Sequence, residues 1–286
     1  MKLNNMKVFH FLIVFTLISS CNPTEIEDFS GDSDLSVMSF NLRYDEPADG
    51  ENKWSNRKAS CITMLNEVKP TVFGIQEGLH NQVSYLNDNL PNYNYVGVGR
   101  DDGHSSGEYA AIFYDETLVE LIDSGDFWLS ETPEYPSLGW DANNVRICTW
   151  AKLRDINKNK DFYVFNTHFD HKGKTAQKES SKLIVQKIQD ITEPGLPVFI
   201  TGDFNMLIGN SRLEPITTNY FSAQRFAERS DDNKSYNAFG LGIISRNIDF
   251  IFYNNSRAIS YKTLVKNYGA PYISDHYPII THFKYQ

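Results

Sequence analysis

From Leu35 to Tyr285 the chain is punctuated by short runs dense in Val, Ile, Phe and Tyr: "LSVMSFNL", "TVFGIQ", "YNYVGVG", "YAAIFYD", "LVELIDSGDFWL", "VRICTWAKL", "DFYVFNTHF", "LPVFITGDF", "NIDFIFYN", "AISYKTLV" and "YPIITHFKY". Such runs read as strands. Two longer stretches carry a helical period. "SNRKASCITMLNEVK" brings Ile62, Leu65 and Val68 near one face, with Ser55 as N-cap, and "TAQKESSKLIVQKIQDI" spaces Ile184, Ile188 and Ile191 for one face. This many strands with interspersed helices predicts an α/β fold with two sheets and helices outside. No repeat or linker interrupts residues 35–286, so they read as one domain at the upper end of what a single core supports.

Several strands end in polar residues. "VMSFN" ends in Asn41 and "TVFGIQE" in Gln76 and Glu77; "FYVFNTHFDH" delivers Asn166, His168, Asp170 and His171. "PVFITGDFN" delivers Asp203 and Asn205, which share a face if the extended conformation continues past Phe204. Asp249 lies just inside "NIDFIF", and Asp275 and His276 stand in "ISDHYP". Taken singly, an Asp or Asn at a strand end is more often a turn or cap residue than a catalyst. Together, polar groups at adjacent sheet ends converge on one crevice, where ligands of α/β proteins commonly bind.

The N-terminus reads separately. Lys2 and Lys7 precede "VFHFLIVFTLISS" and Cys21, the pattern of a secretory signal over residues 1–20 rather than a transmembrane span. A short buried helix is the alternative. "ISSC" resembles the bacterial lipobox, in which the cysteine is lipidated, and residues 21–34 form a polar linker. These features predict export, as an outer-membrane or cell-surface lipoprotein anchored at Cys21 or as a periplasmic or secreted protein. Cys61 and Cys148 read as small buried hydrophobes, with a disulfide between them left open. No CxxC or zinc-type Cys/His spacing occurs. Lys and Arg number 27 against 36 Asp and Glu, a formal charge of −9, so no basic stripe of a nucleic-acid-binding protein is present.

The ordered set "SFNLR", "GIQE", "NTHFD", "GDFN", "IDFIF" and "SDHYP" resembles the endonuclease/exonuclease/phosphatase superfamily, over nearly all of the chain from Leu35 onward. The resemblance implies a deoxyribonuclease I-like four-layer sandwich, two packed mixed β-sheets flanked by helices, with the site at one end. It implies hydrolysis of a phosphate ester with Mg2+ or Mn2+. A hard cation takes oxygen ligands: Glu77 first, Asn41 beside it, and Asp275 as a further or outer ligand. By resemblance Asp203 deprotonates the attacking water and Asn205 hydrogen-bonds that water or the phosphate. His276 contacts the phosphate, and Asp249 holds His276 in one tautomer. His168 also faces the phosphate, with Glu108 of "GEYAAIFY" as its partner. Arg146 and Asn166 contact substrate. Some members carry an acidic ligand two residues after the first Asn; Arg43 stands there, which favours one metal ion over two.

Loops choose the substrate. "DEPADGENKWSNRK" carries Trp54 and Arg57, and "FWLSETPEYPSLGWDANNVR" carries Trp128, Tyr135 and Trp140. Such aromatics stack on a ring or pack into the core, the latter being commoner. "GRDDGHSSGE" reads as a flexible acidic loop near the site, better suited to a small phosphorylated molecule or lipid headgroup than to a long polyanion. The reading is therefore a monomeric phosphatase or phosphodiesterase acting on such a substrate. The alternatives are an exported nuclease, a retired binding module and, without a clustered histidine set, a zinc hydrolase.

Overall fold

In the computed structural model, which describes residues 33–241 and 245–286, the apolar runs form strands within three residues of where they are expected. β1 is Leu35–Asn41, β2 Val72–Gln76, β3 Tyr93–Val96, β4 Ile112–Asp115, β5 Val119–Trp128, β6 Ile147–Asp155, β7 Lys160–His168 and β8 Val198–Asp203. Short β9 (Phe221–Ser222) and β10 (Arg229–Ser230) precede β11 (Asp249–Asn254), β12 (Ser256–Thr263) and β13 (Ile279–Tyr285). One sheet has the order β10-β12-β13-β1-β2-β4-β3 and the other β5-β6-β7-β8-β11-β9. Both are mixed: β1 and β2 run parallel, as do β7 and β8, while most other neighbours run antiparallel. The proposed leader, linker and Cys21 lie outside the described residues, apart from the linker's last two. Among the described residues no helix is long and apolar enough to cross a membrane.

Three apolar clusters make four layers. Between the sheets lie Val37, Val72, Ile112, Phe162, Phe199, Ile251 and Phe283. Helices α1 (Trp54–Val68) and α2 (His80–Asn89) cover the first sheet through Cys61, Met64, Leu65, Val83 and Leu86. Helix α3 (Lys174–Ile191) and the short α4 (Glu214–Asn219) cover the second through Ile184, Ile188 and Ile216. Fully burying each Phe between the sheets contributes about 1.5–3 kcal/mol, which fixes the relative position of the two sheets whose ends build the site. Cys61 and Cys148 are buried free thiols. The α1 N-cap is Lys53 and not Ser55, which lies inside the first turn.

Arg57 has a structural task. Its guanidinium, 1% exposed, donates from Nη1 to the carbonyls of Leu42 (2.8 Å) and Ile273 (2.7 Å) and from Nη2 to that of Arg43 (3.1 Å). It thereby ties the loop after β1 to the loop that carries Asp275 and His276. Trp54 packs in the α1 core, edge-on to Tyr85.

Candidate active site

β7, β8 and β11 lie side by side in the second sheet, with His168 opposite Asp203 and Asp203 opposite Asp249. Three consecutive strands thus end on one polar row. Asp203, 2% exposed, is its centre: its Oδ2 accepts from Asn41 Nδ2 at 3.1 Å and lies 3.5 Å from His168 Nε2 and 3.8 Å from His276 Nε2. Its Oδ1 accepts from the Asn205 amide at 2.8 Å. Burial, then the nearby charge of Asp249, pushes the Asp203 carboxyl above the ordinary carboxylate range.

The first sheet contributes Asn41 and Glu77, which follow the parallel pair β1 and β2. Asn41 Nδ2 also donates to Glu77 Oε1 at 2.9 Å. Three residues here and on β8's end hold left-handed backbone: Arg43 (φ 56), Glu77 (φ 62) and Asn205 (φ 52). Such conformations are uncommon for Arg and Glu, less so for Asn, and strained backbone of this kind clusters at functional sites. The extended chain therefore does not continue past Asp203. Asn205 turns back instead, donating from Nδ2 to His168 Nε2 and the Phe169 carbonyl, both at 3.0 Å, while Phe204 is wholly buried.

His276 stands before β13. Its Nδ1 pairs with Asp249 Oδ2 at 2.8 Å, which assigns the Nδ1 proton and turns Nε2 toward Asp203. Burial alone would lower the His276 pKa, but the charge and hydrogen bond of Asp249 outweigh it and hold the ring protonated well above its ordinary range. His168 goes the other way: burial, then the adjacent Arg146 charge, keeps it neutral. Two buried histidines therefore face one carboxylate in opposite charge states. Asp275 lines the same cleft, its carboxyl raised by burial and by the negative charge of Glu77, against the pull of His276.

The cleft over this row has a volume of about 640 Å³. Arg43, Arg100, Arg146 and Arg246 line it together with Tyr44 and Tyr236. Of these, Arg146, and Arg43 as an alternative to its pairing with Glu77, are expected there as substrate contacts; Arg100 and Arg246 stand outside any motif, and their signal emerges only when loops from distant positions meet.

Residues 38–276 match the endonuclease/exonuclease/phosphatase family. The chain belongs to this family. Among solved structures it is similar to an endonuclease/exonuclease/phosphatase from Bacteroides vulgatus, 37% identical with a TM-score of 0.84 over 88% of this chain and 99% of that one. It is likewise similar to the mannosyl-6-phosphatase of Bacteroides thetaiotaomicron, 32% identical with a TM-score of 0.84 over 88% of this chain and 100% of that one. A further relative is the uncharacterized protein L388 of Acanthamoeba polyphaga mimivirus, 24% identical over 255 residues, 81% of this chain and 92% of that one. The four-layer fold is the family's deoxyribonuclease I-like architecture.

Phosphoester hydrolysis in this family typically uses a divalent cation, and the donor set fits one. Glu77, His168 and Asp203 each offer a ligand atom, all within 4.8 Å of one another. Carboxylates gathered this closely repel one another, and a cation between them would relieve that repulsion. Asp203, Asp249 and His276 form a second such group, but Asp249 and His276 already satisfy each other.

The residues expected at this family site do not all meet in the cleft. Asn166 does not reach substrate: it is wholly buried between the sheets, donating to the Ile75 and Ala111 carbonyls and accepting from Gln76 Nε2 and Thr201 Oγ1. Asn41 presents its Nδ2 to the Glu77 and Asp203 carboxylates while its Oδ1 accepts from the Arg43 amide, so it braces both carboxylates. Asp275 is absent from the close donor groups among the described residues. Glu108 does face His168, its Oε2 3.7 Å from Nδ1, and it also bonds Arg100 Nη1 at 2.5 Å. Arg43 forks onto Asp49 at 2.8 and 2.9 Å and lies 4.0 Å from Glu77. Of the aromatics, Trp128 is buried and donates to the Arg100 carbonyl at 2.6 Å, and Tyr135 is exposed; the cleft aromatics are Tyr44 and Tyr236. The "GRDDGHSSGE" loop is internally bonded, with Asp102 Oδ1 accepting from the His104 and Ser106 amides, and it turns Arg100 and Glu108 inward. Gly202 lets β8 lie against β7: a Cβ there would stand 2.4 Å from the Thr167 carbonyl oxygen.

Proposed function

We propose that this chain hydrolyses a phosphate ester on a small phosphorylated molecule, a sugar phosphate first among them, with the help of Mg2+ or Mn2+. The observation that carries this reading is the buried Asp203 carboxylate, 3.5 and 3.8 Å from the Nε2 atoms of two histidines of opposite charge state and grouped with Glu77. Glu77 would hold the ion on its protein side; when bound, the ion would polarise a phosphoryl oxygen and neutralise charge on the leaving oxygen.

Asp203 is the base. Asn41 and the Asn205 amide fix its two oxygens, and its raised pKa suits it to take a proton from water near neutrality. A bond forms between the water oxygen and phosphorus as the ester P–O bond breaks. The water proton passes to Asp203, and the leaving alkoxide takes a proton from solvent. His276, protonated and held by Asp249, places Nε2–H where negative charge builds up.

The bounded cleft and the −9 formal charge favour a small substrate over a nucleic acid, whose binding depends on many phosphate neutralisations. Similarity to a mannosyl-6-phosphatase supports a sugar phosphate. Chelation is expected to abolish hydrolysis, and Mg2+ or Mn2+ to restore it. Hexose phosphates, inositol phosphates, nucleotides, RNA and plasmid DNA assayed side by side are expected to rank sugar phosphates first. Efficient DNA cleavage at physiological salt would overturn the choice of substrate.

A further inference from the structure

Beside His168 lies a pair of arginines with buried N–H donors that the protein leaves without acceptors. Arg146 is 4% exposed, and its Nε and Nη1 have no hydrogen-bond acceptor; Arg100 Nε is likewise buried without one. The anions within reach do not fill the gap. Asp170 Oδ2 is 3.6 Å from Arg146 Nε and Glu108 Oε2 is 3.9 Å from Arg146 Nη1, both beyond hydrogen-bond distance. Asp170 is already occupied by the amides of Asn143, Asn144, Lys172 and Gly173; against burial, the bonds from Gly173, Lys172 and Asn143 and then the Arg146 charge hold its carboxyl down at about 2. Glu108 is taken by Arg100 Nη1.

Buried donors without acceptors are costly and rare in native proteins, and at a cleft wall they point to a ligand that supplies the acceptors. Both arginines line the cleft that holds Asp203 and His276. Their position is firm: the Arg100 carbonyl accepts from Trp128 Nε1 at 2.6 Å, and Arg146 directly precedes β6.

We propose that Arg100 and Arg146 form a wall that recognises the terminal phosphoryl oxygens of a phosphomonoester dianion, making the chain selective for monoesters over diesters. This inference rests on the phosphate-ester reading above. A monoester offers three non-bridging oxygens and close to two negative charges above a second pKa of about 6. A diester offers two such oxygens and one charge, and sets an esterified oxygen where a guanidinium seeks an anion. The chemistry is unchanged by the wall: water oxygen bonds to phosphorus, the one ester P–O bond breaks, and alcohol and inorganic phosphate leave.

The test compares p-nitrophenyl phosphate with bis(p-nitrophenyl) phosphate in wild type, Arg146→Gln and Arg100→Gln, each loaded with Mn2+, alongside calorimetric titration with inorganic phosphate. Each variant is expected to lose about tenfold more kcat/KM on the monoester than on the diester, and to bind inorganic phosphate about tenfold more weakly, as for one lost charged hydrogen bond. Equal losses on both esters with unchanged phosphate binding would overturn the proposal and leave the arginines a structural role. Should Arg146→Gln fail to fold, Arg100→Gln, a less buried change, decides by the same two readouts. If wild type cleaves neither ester, the phosphate-ester reading fails, and the phosphate titration alone decides the wall: binding lost with either arginine supports it, and no binding by wild type refutes it.

Discussion

Asn166 and His168 sit two residues apart on β7, Thr201 and Asp203 two apart on β8, and Gln76 and Glu77 are consecutive at the end of β2. The same three strands thus carry two polar layers with contrasting character. The inner layer is closely bonded around Asn166, which spends both amide hydrogens on the Ile75 and Ala111 carbonyls and accepts from Gln76 and Thr201 through its oxygen, leaving Gln76 Oε1 as the unmatched atom there. Gly74 makes room for it, since a Cβ there would stand 2.4 Å from the Asn166 amide. The outer layer is left unbalanced, with an elevated carboxyl at Asp203, oppositely shifted histidines, an unbonded His168 Nδ1 and left-handed backbone at Glu77 and Asn205. One layer joins the sheets, and the other retains unmet hydrogen bonds and charge for a ligand.

The contrast predicts separable effects. His276→Ala removes the protonated partner of the outer layer and is expected to lower kcat/KM by about 100-fold or more, read from steady-state kinetics beside a melting curve. Wild-type rates would place the chemistry elsewhere.

Asp249→Asn is expected to lower activity less, by about tenfold, and to move the pH profile. Asp249 is what raises the His276 pKa, so in the variant His276 loses its proton at lower pH. The alkaline limb of kcat/KM against pH should shift downward. An unmoved limb would mean that His276 does not act as a cation.

For Asn166→Ala the expected change in activity per folded molecule is small, and the effect falls on stability. Gln76, Thr201 and two carbonyls lose their partner, a cost of about 2–3 kcal/mol, or a melting temperature lower by roughly 4–10 °C. A large activity loss in a molecule with unchanged melting would return Asn166 to the substrate side.

In the sequence the two layers look alike, because both are polar residues at the ends of apolar runs. The strands, α1 and α3 were legible, since each buries a continuous face with its own period. The outer-layer residues were legible through the ordered motifs that contain them. Asn166 reads as a substrate contact because it shares a motif and a strand face with His168, and strand alternation gives no depth along the strand. Arg100 and Arg246 were invisible because each stands alone in a loop, and only tertiary folding brings them to the cleft. Arg57 was read as part of an aromatic loop, although its fork matches carbonyls supplied by residues as distant as Ile273. The short helix α2 escaped notice for lack of a strong apolar stripe in "HNQVSYLNDN".

The central claim is that Asp203 is a base at a metal-assisted phosphate site and not a strand-end cap. Its most direct test is Asp203→Asn, a change that keeps shape and removes basicity, measured as kcat/KM on a sugar phosphate in saturating Mn2+ with melting temperature followed in parallel. The account predicts a folded protein that has lost about 100-fold or more of its activity; a folded variant with wild-type activity would contradict it.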